Sequence, residues 1–213
     1  MDRKLVSVKS YANIAIVKYW GKADAERMIP STSSVSLTLE NMYTETKLSF
    51  LPEDATGDVM YIDDELQGEK ETVKASKVLD FFRTNPNQHV KIETWNNMPT
   101  AAGLSSSSSG LSALVKAANE LFQVGKTQSE LAQIAKFASG SSSRSFFGPL
   151  AAWDKDSGEV YQVETDLKLA MIMLVLTDQK KPVSSRDGMK LCTETSTSFP
   201  EWIKQSEQDY EDM

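Results

Sequence analysis

The spacing of apolar residues predicts helices in four parts of the chain. After the serine run Ser105–Ser109, apolar residues recur at i, i+3, i+4, i+7, i+10 and i+11, which is one face of a helix packed on a core. These residues are Leu111, Leu114, Val115, Ala118, Leu121 and Phe122. A mostly helical pattern also covers Lys70 to Arg83, and Thr127 with Glu130 three residues later is a capping-box signature that starts another helix. Phe199 to Met213 has the pattern of an amphipathic helix and contains no Gly, Asn or Pro stop signal at its end.

Alternation of apolar and polar residues predicts strands between these helices. Val35 to Glu40 and Val90 to Glu93 alternate as half-buried strands do, and Tyr43 to Leu51 and Val59 to Ile62 are further candidates. These segments predict an early antiparallel sheet. The continuous apolar run Leu169 to Leu176 predicts a strand covered on both faces. Mixed strands and helices, without an internal repeat or a long linker, indicate an α+β fold.

Composition then narrows the function classes. The 213 residues are 40% hydrophobic and 25% charged, as in ordinary globular proteins, and the formal charge of −7 disfavours a nucleic-acid partner. Cys192 is the only cysteine, which excludes an intramolecular disulfide and a Cys-based zinc site and favours a reducing, cytoplasmic setting. Apolar runs are too short to span a bilayer, so no membrane partner is expected. His89 is the only histidine and is predicted at the surface, so a Ser-His-Asp triad has little support.

The serine run is the first candidate for chemistry. Between Pro99 and Gly110 the residues are small and rich in hydroxyl groups, and they lead directly into the predicted helix. Backbone N–H groups at a helix start bind anions, and small side chains let phosphate oxygens approach them closely. A flexible linker is the alternative, but a linker would not be followed by an amphipathic helix. The loop therefore predicts nucleotide binding, although it lacks the Gly-x-x-x-x-Gly-Lys-Ser/Thr pattern of an ordinary P-loop.

Cations beside small or hydroxyl residues mark three further stretches. Lys18 and Lys22 flank Tyr19, Trp20 and Gly21. The two ammonium groups could bind an anion beside an aromatic wall, or the aromatic residues could be core with both lysines solvated. The sequence leaves these two alternatives open.

Among these cations, Arg144 has the surroundings that most favour anion binding. It lies within the hydroxyl-rich stretch Ala138 to Gly148, where a guanidinium suits bidentate recognition of carboxylate or phosphate. The alternative is a surface arginine in a polar loop. Arg186 lies in Lys180 to Gly188, after the predicted buried strand, and a solvated turn is equally compatible with that stretch. A nucleotide loop together with several cations is the equipment of phosphoryl transfer, which usually also needs a divalent metal.

Three motifs resemble the diphosphomevalonate decarboxylases of the GHMP kinase superfamily. They span Asn13 to Lys22, Pro99 to Gly110 and Ser139 to Gly148, and the resemblance runs from about Ser10 to the end of the chain. The serine loop indicates only the superfamily, whereas Lys-Tyr-Trp-Gly-Lys and Ser-Gly-Ser-x-x-Arg-Ser are specific to the decarboxylases. The resemblance implies ATP- and Mg²⁺-dependent decarboxylation of (R)-5-diphosphomevalonate to isopentenyl diphosphate, with ADP, phosphate and CO₂.

The resemblance also implies roles for individual residues. Lys18 would support the reacting centre and Arg144 would face the substrate carboxylate, so these two are the catalytic candidates. Ser107 would be the central phosphate contact and a Mg²⁺ ligand. The nucleotide site would comprise Gly103, Leu104, Ser105, Ser106, Ser107, Ser108 and Ser109. The substrate site would comprise Tyr19, Trp20, Gly21, Lys22, Ser139, Gly140, Ser141, Ser142, Ser143, Arg144 and Arg186.

The implied fold is the GHMP-kinase fold, with an N-terminal α/β domain like domain 2 of ribosomal protein S5. Residues 1–185 would form that domain, and 186–213 would begin a ferredoxin-like C-terminal domain that is largely missing. The family's catalytic aspartate lies in a Met-Asp-Ala-Gly-Pro-Asn-like segment that does not occur in these 213 residues. We therefore expect a truncated enzyme with little activity alone, prone to self-association, for example as a homodimer. The alternatives are another GHMP small-molecule kinase and a non-catalytic binding fragment.

Overall fold

The computed structural model describes residues 4–24, 26–98, 106–174 and 183–213. Nine strands occur within these ranges: β1 Leu5–Val17, β2 Lys22–Asp24, β3 Ile29–Pro30, β4 Ser34–Phe50, β5 Val59–Ile62, β6 Glu65–Leu66, β7 Val90–Asn96, β8 Leu150–Trp153 and β9 Val160–Val163. The α-helices there are α1 Glu69–Leu79, α2 Ser106–Leu121, α3 Gln128–Ala138, α4 Ser185–Thr195 and α5 Phe199–Glu211. A 3₁₀ helix spans Gly140–Phe146. The predicted α+β class is confirmed.

Strand β4 organises the sheet because it pairs with three other strands. It runs antiparallel to β1 along its length, and on its other side it pairs first with β8 and then with β7. The two strands predicted at 35–40 and 43–51 are both part of β4. A register shift lies between them, where Tyr11 pairs with Tyr43 but Ala12 pairs with Leu39. Such a bulge interrupts the apolar alternation without ending the strand.

The sheet is mixed rather than purely antiparallel, which corrects the prediction. Strands β5 and β7 pair in parallel, and α1 lies between them in sequence. A parallel pair needs a crossover connection of this kind, and a helix commonly provides it. The predicted helix over Lys70 to Arg83 is therefore the crossover, observed as α1.

Helices α1, α2 and α3 form the main core with one face of the sheet. From α2, Leu114, Val115, Ala118 and Leu121 are buried, which confirms its predicted apolar stripe. The capping box of α3 is also confirmed, since Thr127 and Glu130 exchange both hydrogen bonds. None of the helices in the described ranges is long and apolar enough to cross a bilayer.

The predicted buried strand from Leu169 to Leu176 is wrong for residues 169–174. These residues form no strand, and the side chains of Ile172 and Leu174 are both 86% exposed. Residues 175 and 176 lie outside the described ranges. An apolar run predicts burial only if a neighbouring strand and a covering layer exist, and within the described residues β9 pairs only with β8.

The helix predicted from Phe199 onward is confirmed as α5, and it packs against the β8–β9 hairpin. Lys155 forms an ion pair of 3.1 Å with Glu207, and the hydroxyls of Tyr161 and Tyr210 lie 2.9 Å apart. Phe199, at the start of α5, is buried beside the segment that follows β1. Helices α4 and α5 therefore lie next to the predicted anion-binding residues.

Candidate substrate and nucleotide site

The segment after β1 turns sharply and carries a buried tyrosine. Tyr19 is only 7% exposed, and its ring centroid lies 5.0 Å from that of Trp153. Gly21 has a φ of +88°, and a Cβ at this position would lie 2.8 Å from Phe199 Cζ and 3.1 Å from Ser31 Oγ. Both the backbone conformation and the close contacts require glycine. The structure combines features of the two alternatives for this stretch. Tyr19 belongs to the core, and it also lies at the edge of a cationic cluster.

Lys22 and Arg186 belong to that cluster. Burial lowers the pKa of Lys22, and the nearby positive charge of Arg186 lowers this pKa further. Arg186 lies in the first turn of α4, a helix that sequence reasoning did not find. Two cations that repel each other across a site stabilise an anion placed between them. Lys18 is exposed and lines a neighbouring cavity of about 500 Å³ together with Trp20, Cys192 and Trp202.

Arg144 is buried in the 3₁₀ helix rather than exposed in a loop. It is 2% exposed, and its guanidinium donates hydrogen bonds to the hydroxyls of Ser36 (3.0 Å) and Ser34 (2.7 Å). Burial lowers the pKa of Arg144 to about 10, so the group remains charged at neutral pH. No carboxylate of the described residues forms an ion pair with Lys22, Arg144 or Arg186.

Tyr19 lies between these charges. Burial raises the pKa of its phenol, and the positive charges of Arg144 and Arg186 partly offset that rise. A Cβ on Gly140 would lie 3.0 Å from Tyr19 Cε1 and 2.9 Å from Trp153 Cζ3. The sequence-predicted residues Tyr19, Lys22, Gly140, Arg144 and Arg186 are therefore brought together at one place.

The serines around Arg144 differ in what they contact. Ser139 ends α3, and its hydroxyl lies 3.3 Å from that of Ser141, while Ser143 donates to the Gly140 carbonyl at 2.8 Å. The hydroxyl of Ser142 is buried and has no hydrogen-bond partner among the described residues. A buried polar atom without a partner costs free energy.

Asn13 begins one of the three sequence motifs, but the sequence predicted no role for it. Its side chain is 2% exposed, and Nδ2 donates to the Ser141 carbonyl (3.0 Å) and to Ser145 Oγ (2.8 Å). Its Oδ1 has no partner in the described part of the chain. Ser34 and Ser36 were also missed. The predicted strand began after Ser34 and placed Ser36 on its polar face, whereas both faces are buried at residues 34–37, so no direct signal in the sequence marked these two serines.

The candidate nucleotide loop leads into α2. Gly103, Leu104 and Ser105 lie outside the described residues, as does the side chain of Ser106. Ser107 is exposed in the first turn of α2. Ser108 and Ser109 have fully buried side chains, and the Ser109 hydroxyl lies 2.7 Å from Thr44 Oγ1 on β4. The serine run therefore starts a helix and fastens it to the sheet, while Ser107 faces outward at the positive end of the helix dipole.

Comparison with known proteins identifies the family. Residues 10–164 match the model of the diphosphomevalonate decarboxylase-like N-terminal domain. The chain belongs to this family. The diphosphomevalonate decarboxylase of Saccharomyces cerevisiae is 35% identical over an alignment of 226 positions. The alignment covers 93% of this chain and 56% of that protein. The Candida albicans enzyme is 34% identical and is covered to 59%. The chain thus spans somewhat more than half the length of these curated relatives.

Solved structures of the decarboxylase family agree with this assignment and with the predicted GHMP-kinase fold. The mevalonate pyrophosphate decarboxylase of Streptococcus pyogenes is 65% identical with a TM-score of 0.94, covering 100% of this chain and 67% of that one. A second relative, MDDEF in complex with MVAPP, AMPPCP and magnesium, is 35% identical with a TM-score of 0.83, covering 98% of this chain and 67% of that one.

The residues at the start of α2 are compatible with a Mg²⁺ ion that binds together with a nucleotide. Within the described residues there is no group of three or more His, Cys, Asp or Glu side chains that could hold a metal ion. Mg²⁺ at nucleotide sites takes few protein ligands and obtains the others from phosphates and water. An exposed hydroxyl such as that of Ser107 is compatible with this arrangement. His89 lies elsewhere, 3.7 Å from Asp58 at the side of the sheet that carries β5.

Proposed function

We propose that this chain binds (R)-5-diphosphomevalonate and Mg²⁺-ATP. It would belong to an enzyme that decarboxylates diphosphomevalonate and converts ATP to ADP and phosphate. The products would be isopentenyl diphosphate, ADP, phosphate and CO₂. Family membership and the relative solved with MVAPP, AMPPCP and magnesium support this proposal. The observation that carries it is the buried Arg144, which has hydroxyl partners but no carboxylate partner within the described residues.

A buried guanidinium without a counter-charge is unfavourable by several kcal/mol, on the order of the desolvation penalty of one ion. The hydroxyls of Ser34 and Ser36 orient the group but do not neutralise it. An anionic ligand supplies the missing charge, and a planar carboxylate matches a guanidinium in shape. We assign the substrate carboxylate to Arg144, where the group that leaves as CO₂ would be fixed in orientation.

The remaining cations suit the diphosphate and the reacting centre. Lys22 and Arg186 are close enough to influence each other, so a diphosphate between them would relieve their repulsion. Lys18 opens onto the adjacent cavity, from which it would support the reacting centre. Tyr19, Trp20 and Gly21 would shape the wall of the site. Hydroxyl and backbone groups of Ser139, Gly140, Ser141, Ser142 and Ser143 would supply further contacts to the substrate.

The nucleotide would lie at the start of α2. Residues Gly103 to Ser109 would surround its phosphates, with Ser107 as the central contact and a Mg²⁺ ligand. The bound ion would offset the charge of the phosphoryl oxygens during transfer to the tertiary hydroxyl of the substrate. The protein's own contribution is positioning, because phosphoryl transfer depends chiefly on alignment and on fixed positive charge.

The domain division remains part of the proposal. Residues 1–185 would form the N-terminal domain and 186–213 the beginning of the next one. Because α4 and α5 pack beside Gly21, the second part would complete the substrate wall. A homodimer and a cytoplasmic location stay predictions from the sequence.

Calorimetric titration tests the binding proposal directly. We expect the wild-type chain to bind diphosphomevalonate, and Arg144→Met to weaken that binding at least 50-fold, about 2 kcal/mol or more, because a charge-assisted bidentate pair is lost. Arg27→Met is the matched control, since Arg27 is exposed. Equal affinity of the Arg144→Met variant and the wild type would refute the assignment.

Product analysis separates the proposed reaction from its rivals. A decarboxylase releases CO₂ and phosphate together with ADP, whereas a GHMP kinase leaves a phosphorylated alcohol and releases no CO₂. A non-catalytic module would bind neither ligand. We expect binding of both ligands but low turnover by these 213 residues alone, because they lack the family's aspartate segment. Turnover close to that of a full-length relative would contradict this expectation.

A further inference from the structure

Lys116 joins three elements of the fold at the back of the candidate site. From α2, its Nζ donates to the hydroxyl of Ser10 on β1 at 3.1 Å and to the carbonyl of Ser145 in the 3₁₀ helix at 3.2 Å. The same ammonium lies 4.8 Å from the centroid of the Phe146 ring. Ser145 directly follows Arg144 in the chain. One side chain on the nucleotide-loop helix therefore contacts the backbone beside the candidate substrate arginine.

A second side chain from α2 strengthens this connection. Ser112, one helical turn before Lys116, donates to the Ser10 hydroxyl at 2.7 Å. Ser10 is fully buried, and its hydroxyl lies 3.5 Å from the Ser145 carbonyl. Asn13, on the same strand as Ser10, donates to the Ser145 hydroxyl. The end of the 3₁₀ helix is thus fixed by polar groups from two neighbouring elements.

The ammonium group of Lys116 carries a desolvation cost that is unfavourable for a purely structural residue. No carboxylate of the described residues forms an ion pair with it, and burial lowers the pKa of its ammonium to about 8. An apolar side chain of similar length would fill the space without that desolvation cost. Such a side chain could not donate to the Ser145 carbonyl. The donor function is therefore what the lysine adds.

We propose that Lys116 is a positioning residue for the substrate arginine: by binding the Ser145 carbonyl and the Ser10 hydroxyl, it fixes the 3₁₀ helix so that Arg144 faces its ligand. This inference rests on the proposed function, because it takes Arg144 as the carboxylate-binding group. Lys116 itself does not contact the substrate. Its loss should therefore weaken substrate binding while nucleotide binding at the start of α2 changes little.

Amide hydrogen exchange and calorimetry on Lys116→Met test this inference in two independent ways. We expect amides in residues 140–147 to exchange at least tenfold faster, while amides of β4 and β7 exchange as in the wild type. We also expect about tenfold weaker binding of diphosphomevalonate and a change of less than twofold for an ATP analogue. Lys4→Met is the matched control, because Lys4 also donates to backbone carbonyls of α2, those of Glu120 and Leu121 at the far end of the helix.

Each result has a definite meaning. Unchanged exchange in residues 140–147, or faster exchange with unchanged substrate affinity, would overturn the positioning role. An equal effect in the Lys4→Met control would do the same. If the wild type binds no diphosphomevalonate, the proposed function fails, and the exchange data alone decide whether Lys116 fixes this segment. If Lys116→Met does not unfold cooperatively, Ser10→Ala removes only the shared hydroxyl and must also accelerate exchange in residues 140–147.

Discussion

Replacing Gly140 by alanine tests the packing on which the candidate site depends. A Cβ at this position would lie 2.9 Å from Trp153 Cζ3, 3.0 Å from Tyr19 Cε1 and 3.1 Å from Trp153 Cη2. The 2.9 Å contact is shorter than carbon atoms tolerate, the other two are tight, and both rings are buried, with Trp153 at 0% and Tyr19 at 7% exposure. The two rings pack against each other with their centroids 5.0 Å apart, which restricts the movement of both. The added methyl group must therefore displace an aromatic ring or the 3₁₀ backbone.

The expected destabilisation follows from this geometry. Overpacking a core by one carbon costs about 1–3 kcal/mol, and two rigid rings place Gly140→Ala towards the upper end, at about 2–3 kcal/mol. For a chain of this size that loss lowers the Tm by roughly 5–10 °C. Because Tyr19 is one of the two rings that the added methyl group would contact, we expect binding of diphosphomevalonate to weaken as well.

Thermal and urea denaturation followed by circular dichroism measure the effect. The matched control is Gly188→Ala in α4, where a Cβ would meet nothing within 4 Å. Alanine should leave stability unchanged there or raise it by about 0.5–1 kcal/mol, since glycine is the poorer helix former. If Gly140→Ala is as stable as the wild type, the close packing of Gly140, Tyr19 and Trp153 described above is refuted.

Three further predictions concern stability elsewhere in the fold. Burial lowers the pKa of Lys116 from 10.5 to about 8. Between pH 8 and pH 10.5 the side chain is therefore protonated in the unfolded state but not in the folded state, and the free energy of unfolding should rise with pH by about 1–3 kcal/mol. Urea titrations at pH 7 and pH 10 should show this rise in the wild type and not in Lys116→Met. Asp58→Asn should lose about 3 kcal/mol or more in urea denaturation, because it breaks a buried 2.7 Å ion pair with Arg83. Although burial alone would raise the pKa of Asp58, hydrogen bonds lower it, so its contribution is present above pH 3.8 and is lost as the pH falls further. Thr127→Ala should lose about 1 kcal/mol by removing the capping box of α3, whereas Thr195→Ala at the end of α4 should change stability less.

Local patterns predicted the helices better than they predicted the site. The stripe through Val115 and the cap at Thr127 depend on neighbours within a few residues, so the sequence displays them directly. The partner of an apolar run is set by tertiary structure, which is why residues 169–174 were wrongly predicted as a strand. The burial of Arg144 is also non-local, because Ser34 and Ser36 come from β4. Motifs located Arg144, but only the fold shows that it is buried with hydroxyl partners and without a carboxylate partner among the described residues.

The candidate site is assembled from segments that are far apart along the chain. Asn13 and Ser145 hydrogen bond across 132 positions, and Ser34 and Arg144 across 110. Contacts of such high contact order form slowly, since a long loop must close before they contribute stability. In refolding experiments the helical signal of α2 and α3 should therefore return before ligand binding does. The ability to bind the proposed ligands would then be a late marker of folding, and a kinetic species with native-like helix content would still be unable to bind them.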